Sequence, residues 1–241
     1  RTVFEDSKGH LLIGTYIGIQ MYDPATDNFT PLAKLEDTGE TLESNINSFI
    51  ERKNGEIWVS GNVLCKLDIK DHLLTVRKVD IAVTSPGSLF EDKKQNVWMA
   101  KGEEGVYQLT PDNQLTLHLS KDNGYVKSIC EDQRGNIYVG SIRKGLFIYD
   151  KERKTFVPVD LKEKGELPVC FLYSGIPNEL YIGTDGKGVA IYNIRTHEIS
   201  EYKFDNNYFD SGNSKIHSIL KDNSGNLWLA VYQKGVILIP A

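Results

Sequence analysis

Four glutamates stand at one recurring place in this chain of 241 residues: Glu5, Glu51, Glu91 and Glu131. Each precedes a large apolar or aromatic residue by seven positions (Leu12, Trp58, Trp98, Tyr138). Paired carboxylates roughly 5–10 Å apart can serve as acid and base on a glycosidic bond. A ring of them could also hold a cation. The same place is Ser174 and Lys221 in two further copies. A charge at the end of a strand is ordinarily solvated, so glycosidase or lyase chemistry ranks below binding.

A second set of residues suits binding better. It comprises Tyr16, Glu103, Glu104, Arg143, Lys144, Asp185, Lys187, Tyr232, Gln233 and Lys234 in one series of turns. Asn45, Asn47, Tyr125, Lys127, Lys215 and His217 lie in a second series of connections. Aromatic faces mixed with fixed donors and acceptors fit sugars, whose ring faces are apolar and whose hydroxyls need partners. The expected ligand set is Tyr16, Tyr125, Arg143, Lys144, Asp185, His217, Tyr232, Gln233 and Lys234. No Gly-x-Ser-x-Gly, Walker loop or His-Glu-x-x-His is present. Asp222-Asn223-Ser224-Gly225-Asn226 reads as a hairpin turn, because its glycine comes one residue early for a calcium loop. The five histidines lack ligand spacing, so neither metal nor cofactor is expected. Cys65, Cys130 and Cys170 form no disulfide or zinc pattern and read as buried thiols.

The elements that must position these residues repeat. Anchors at Leu12, Trp58, Trp98, Tyr138, Tyr181 and Trp228 are spaced by 46, 40, 40, 43 and 47 residues. Two positions after each anchor sits a small residue: Gly14, Ser60, Ala100, Gly140, Gly183 or Ala230. Three before it sits Gly9, Gly55, Gln95, Gly135, Asn178 or Gly225, types that tolerate a left-handed turn, glutamine excepted. Each copy reads as three short strands rich in β-branched and aromatic residues, with a weaker fourth. Candidates for the fourth are Asn28–Pro31, Thr75–Val79, Leu115–Leu119, Thr155–Val159 and Glu198–Lys203. Four strands in a unit of this period predict an all-β propeller of antiparallel four-stranded blades. Six blades are encoded, with cores at 3–22, 49–68, 89–109, 129–150, 171–192 and 219–239 in a single domain spanning 1–241. They would form a closed six-bladed ring or an arc of a larger one, such as seven. In propeller geometry both loop series share one end. Tyr16 and Tyr232, each four residues past its anchor, would meet there if six blades close.

Leu32–Asn45 reads as a solvated connection, Ser174–Glu179 as a remodelled first turn, and Asp205–Ser214 as a polar loop. The last copy shows three strands and no outer one, so the chain is expected to be cut from a longer array. Net charge is −5 and no basic tract occurs, which argues against nucleic acid. The longest apolar runs are about five residues, too short to enter a membrane.

The pattern Glu-Asp-x-x-Gly-Asn-Ile-Trp/Tyr-Val-Gly, followed by a Gly-apolar strand and Tyr-Asp, resembles the two-component regulator propeller repeat. Val3–Tyr22, Ser128–Asp150 and Ser218–Ile239 carry it best. The resemblance implies a periplasmic, ligand-sensing part of a hybrid histidine kinase that responds to oligosaccharides from polysaccharide breakdown. It implies neighbouring propeller or immunoglobulin-like domains of the same polypeptide as partners, and a homodimer as a further one. A scaffold propeller that binds only protein is the alternative, and a propeller lyase or glycosidase the third.

Overall fold

The computed structural model describes residues 1–119, 121–161, 167–203 and 213–241. The fold is an all-β propeller, with one 3₁₀ turn (Lys121–Asn123) as the helical element among the described residues. The first sheet is β1 (Thr2–Glu5), β2 (Leu11–Gly14), β3 (Ile19–Asp23) and β4 (Asn28–Phe29). The second contains β5 (Lys34–Leu35), β6 (Ser48–Glu51), β7 (Ile57–Ser60), β8 (Leu64–Lys70) and β9 (Leu73–Lys78). The third is β10 (Ser88–Glu91), β11 (Val97–Lys101), β12 (Gly105–Leu109) and β13 (Leu115–Leu119). The fourth is β14 (Val126–Glu131), β15 (Ile137–Ser141), β16 (Gly145–Asp150) and β17 (Thr155–Pro158). The fifth is β18 (Val169–Ile176), β19 (Glu179–Thr184), β20 (Val189–Asn193) and β21 (Ile199–Glu201). The sixth is β22 (Ile216–Lys221), β23 (Leu227–Val231) and β24 (Gly235–Ile239).

Two details depart from the sequence expectation. Leu32–Asn45 is not merely a solvated loop. Its β5 pairs parallel with β9, and the second sheet therefore runs β5-β9-β8-β7-β6. Ala33 and Leu42 are buried there, which explains why an acidic connection is held down. Ser174–Glu179 is tighter than expected, because β18 extends through a bulge to Ile176 and only Pro177 and Asn178 turn the chain. Asn178 takes φ 60°, which few residues other than glycine and asparagine tolerate. The sixth sheet has three strands among the described residues, as expected. Of the polar loop expected at Asp205–Ser214, residues 205–212 lie outside the described residues.

The chain divides into two compact units, residues 1–99 with 109–115 and residues 100–108 with 116–241. In the first unit the core gathers Leu12, Ile19, Met21, Ile46, Phe49, Ile57 and Val59. In the second, Tyr138, Leu146, Val169, Leu180 and Tyr192 form one core, and Tyr181, Ile216, Ile219 and Leu229 another.

The first turn of a blade is organised by one carboxylate. Asp92 accepts from the amides of Lys94 (2.8 Å) and Asn96 (2.9 Å), from Asn96 Nδ2 (2.8 Å) and from the anchor's indole, Trp98 Nε1 (2.8 Å). Asp222 repeats this set with Ser224, Asn226 and Trp228. Asp132 does so with Arg134 and Asn136. Asp6 does so with Lys8 and with His10, whose Nδ1 lies 2.8 Å away. Burial pushes the Asp6 carboxyl up, but the bonds from His10 outweigh it and hold it below the usual range. Where the aspartate is missing, a glutamate two residues before the anchor replaces it. Glu56 accepts from Trp58 Nε1 (3.0 Å) and Lys66 Nζ (2.6 Å). Burial opposes its ionisation, yet these bonds hold it down at about 2. Glu179 stands in the same place before Tyr181, and after burial its carboxylate is what pushes that phenol up. The turn residue three before the anchor has φ between 60° and 90° in all six copies, Gln95 included. The DNSGN segment is thus a turn, as expected, and among the described residues no cluster could hold a metal.

Anchors and small residues then pack sheet on sheet. A Cβ on Gly14 would come within 2.6 Å of Ile46 Cγ2, and one on Gly183 within 2.8 Å of Ile216 Cγ2. At Gly140 it would collide with Val169. Each of these partners lies at or just before the first strand of the following sheet, so the small residue marks where one blade receives the next. Leu12, Trp58, Trp98, Tyr138 and Tyr181 are buried, whereas Trp228 keeps 38% of its surface exposed.

We expect Asp92→Ala to cost roughly 3–5 kcal/mol in urea unfolding, because it strands Asn96 and Trp98 donors in a buried turn. Asp68→Ala, on an exposed carboxylate, should stay within about 0.5 kcal/mol. Trp98→Ala should cost about 3–5 kcal/mol, and Trp228→Ala clearly less. Equal losses for the two tryptophans would refute the packing argument.

Candidate functional site

Two of the repeated glutamates, Glu51 and Glu91, are engaged in holding the scaffold. Glu51 Oε2 accepts from the Ser7 amide at 2.7 Å, and its Oε1 from Ser7 Oγ at 2.5 Å. Glu91 accepts from Arg52 Nε at 2.8 Å and from the Lys53 amide at 2.7 Å. Each carboxylate grips the first turn of the preceding sheet. Ser174, in the same place, donates through Oγ to the Glu131 carbonyl at 2.7 Å. Carboxylates tied to neighbouring turns are poorly placed to exchange protons with a substrate.

The expected ligand residues fall into separate groups. In the second unit, Lys215 sits at the centre of one. Its Nζ donates to Asp185 Oδ2 at 2.8 Å and lies 6.0 Å from the Tyr232 ring centroid. His217 packs against Tyr232 with ring centroids 5.5 Å apart. The Tyr232 amide donates to the Lys215 carbonyl at 3.0 Å, which fixes the turn that carries the ring. Tyr232 remains 54% exposed. Gln233 takes φ 58° and serves the geometry of that turn. Lys234 Nζ donates to Ser214 Oγ at 3.0 Å.

Electrostatics tune this cluster. The Asp185 carboxylate raises Lys215 above its ordinary value. Burial, then the charges of Lys127 and Lys215, push His217 down, and Asp185 opposes them. The result is a neutral imidazole at pH 7 beside an ion pair and an exposed phenol. Lys215, which holds the cluster together, was outside the expected ligand set. Its signal was its place two residues before His217, on the connection that faces Asp185.

A second group in the same unit holds Arg143, whose guanidinium lies 3.1 Å from Glu103 with both side chains mostly exposed. Tyr125 lies against Gly102, where a Cβ would approach its ring at 3.0 Å. The Lys144 amide donates to Ser141 Oγ at 3.2 Å. Tyr16 belongs to the first unit. It is 73% exposed, and the Arg1 guanidinium lies 4.8 Å over its ring. The buried thiols carry no chemistry: burial pushes Cys65 up to about 11 and Cys130 up to about 12.

Residues 120–143 and 210–233 match the two component regulator propeller family. No curated protein matches the sequence. Among solved structures, the chain is similar to the extracellular domain of BT3049 from B. thetaiotaomicron, described as a hybrid two component system, with TM-score 0.78 and 18% identity. That likeness covers 99% of this chain and 33% of the other, so the chain spans about a third of its length. PorZ of Porphyromonas gingivalis, a surface component of the type-IX secretion system, gives 0.74 at 14% identity, over 99% of this chain and 38% of that one. Virginiamycin B lyase from Staphylococcus aureus, in a catalytically inactive form with quinupristin, gives 0.73 at 12% identity, over 97% and 78%. At these identities the likeness concerns the fold.

His217 should titrate below 6.5 by NMR, and Lys215→Met should move its midpoint upward. Because the unfolded chain takes up this proton at higher pH, His217 lowers stability as the pH falls below 6.5. A midpoint at or above 6.5 would contradict the cluster's electrostatics.

Proposed function

The chain carries two component regulator propeller repeats, and from that premise we propose that it is an extracytoplasmic, periplasmic sensing domain whose ligand is a glycan-derived oligosaccharide. The observation that carries this reading is the second-unit cluster of Asp185, Lys215, His217 and Tyr232. A rigid turn presents an exposed phenol beside a neutral imidazole and a fixed ion pair. Such a set offers one stacking face, an acceptor and two donors, which is what a sugar ring requires. Loops on a rigid sheet scaffold are the usual place for such residues. The extracellular setting of the BT3049 domain supports the location. Neighbouring domains of the same polypeptide would receive the signal, and a homodimer is a further route for it.

A second reading, a lyase, is favoured by the match to virginiamycin B lyase and by the neutral His217, which could accept a proton. It predicts turnover of a bound ligand, where the sensing reading predicts binding alone.

Isothermal titration against an oligosaccharide panel tests the proposal. We expect binding by at least one member, unchanged ligand on recovery, and about tenfold weakening by Tyr232→Ala without a shift in the unfolding midpoint. Absence of binding across the panel would favour a scaffold that takes only protein, and conversion of the ligand would favour the lyase.

A further inference from the structure

The second unit holds a groove of about 440 Å³ that the cluster around Asp185 does not use. Its floor is the start of β16, Gly145 to Phe147. One wall is the 3₁₀ turn with Asp122 and Asn123, and the other is the chain leaving β17, Pro158 to Leu161. Lys144 stands at the rim. Volumes from about 300 Å³ upward are those of small-molecule sites.

The groove is built rather than incidental. Ser141 Oγ donates to the Asn123 carbonyl at 2.8 Å and receives the Lys144 amide at 3.2 Å, so one buried hydroxyl joins the 3₁₀ turn to the β15–β16 turn. The Val159 amide donates to the Leu146 carbonyl at 2.9 Å, which fixes the opposite wall to the floor. Gly145 takes φ 79°, where a side chain would be strained. Leu146 and Phe147 are buried and present mainly backbone. Pro158 and Asp160 are exposed on that wall, while half-buried Val159 packs against the core, so the wall offers one apolar ring beside a carboxylate. Asp122 is exposed across from it. A proline ring on one wall and the exposed Asp122 on the other, over a backbone floor, suit a pyranose: a C–H face for the ring, a hydroxyl edge for the carboxylate.

We propose that this groove seats a single pyranose unit, with its apolar face on Pro158 and two hydroxyls donating to Asp122. The inference rests on the oligosaccharide reading and adds to it a second subsite, separate from Tyr232. Lys144 is shared between the groove and the expected ligand set.

The test is amide chemical-shift mapping on the ¹⁵N-labelled chain with methyl pyranosides of glucose, galactose, mannose, xylose and fucose. At least one should shift the amides of Asn123, Gly145 and Val159. Asp122→Asn should weaken that binding about tenfold, and Asp185→Asn should leave it unchanged. Asp122 is exposed, so the rest of the spectrum should stay in place. An oligosaccharide that binds near Tyr232 while no pyranoside moves these amides would overturn the groove and leave the function reading intact. Binding at these amides that is indifferent to Asp122→Asn would overturn the assigned contact. Silence from every sugar at every amide would overturn both.

Discussion

A carboxylate removed from water must have its lone pairs answered or surrender its charge. In this propeller that requirement is met locally, between an aspartate and the anchor six residues on. In three of the six first turns an aspartate, Asp92, Asp132 or Asp222, collects two backbone amides and an asparagine amide, and Asp92 and Asp222 add the indole of the anchor. One group thereby closes the hairpin, sets the φ > 0 residue and orients the aromatic that the next sheet must cover. Sheet packing, and through it the loops that present Tyr232 and Asp122, follow from that local bond set.

Much of this was legible in the sequence. The anchors, the small residues behind them and the left-handed turn positions are local requirements with a fixed offset, and a repeat displays them six times. Gly14, Gly140 and Gly183 meet Ile46, Val169 and Ile216 as a close approach demands. The substitute carboxylates Glu56 and Glu179 were harder to see. They act from two residues before the anchor rather than six, so an alignment by position hides an equivalence of role. The β5 strand was missed for a different reason: two residues among acidic neighbours have no period to read, and their pairing with β9 is tertiary.

The site was less legible than the scaffold. Asp185, His217 and Tyr232 were named from turn position alone, and the structure brings them together through Lys215. Arg143 and Tyr125 keep to their own surroundings, and Gln233 serves the turn. A sequence indicates which loops share an end. It does not indicate which side chains on those loops pair, because pairing depends on reach, rotamer and the competing ion pair.

The turn aspartates bond within their own hairpin, whereas Glu51 and Glu91 bond across to the hairpin before. The chain therefore separates what makes a repeat from what joins repeats, as in a one-dimensional array with intrinsic and nearest-neighbour energies. Duplication of such a unit copies the intrinsic part whole, while each junction is free to drift, which is how Ser174 can stand where a glutamate stood. In hydrogen exchange the same division becomes a gradient of protection, with the partly uncovered sheet of Trp228 opening before the sheets whose anchors are sealed on both faces.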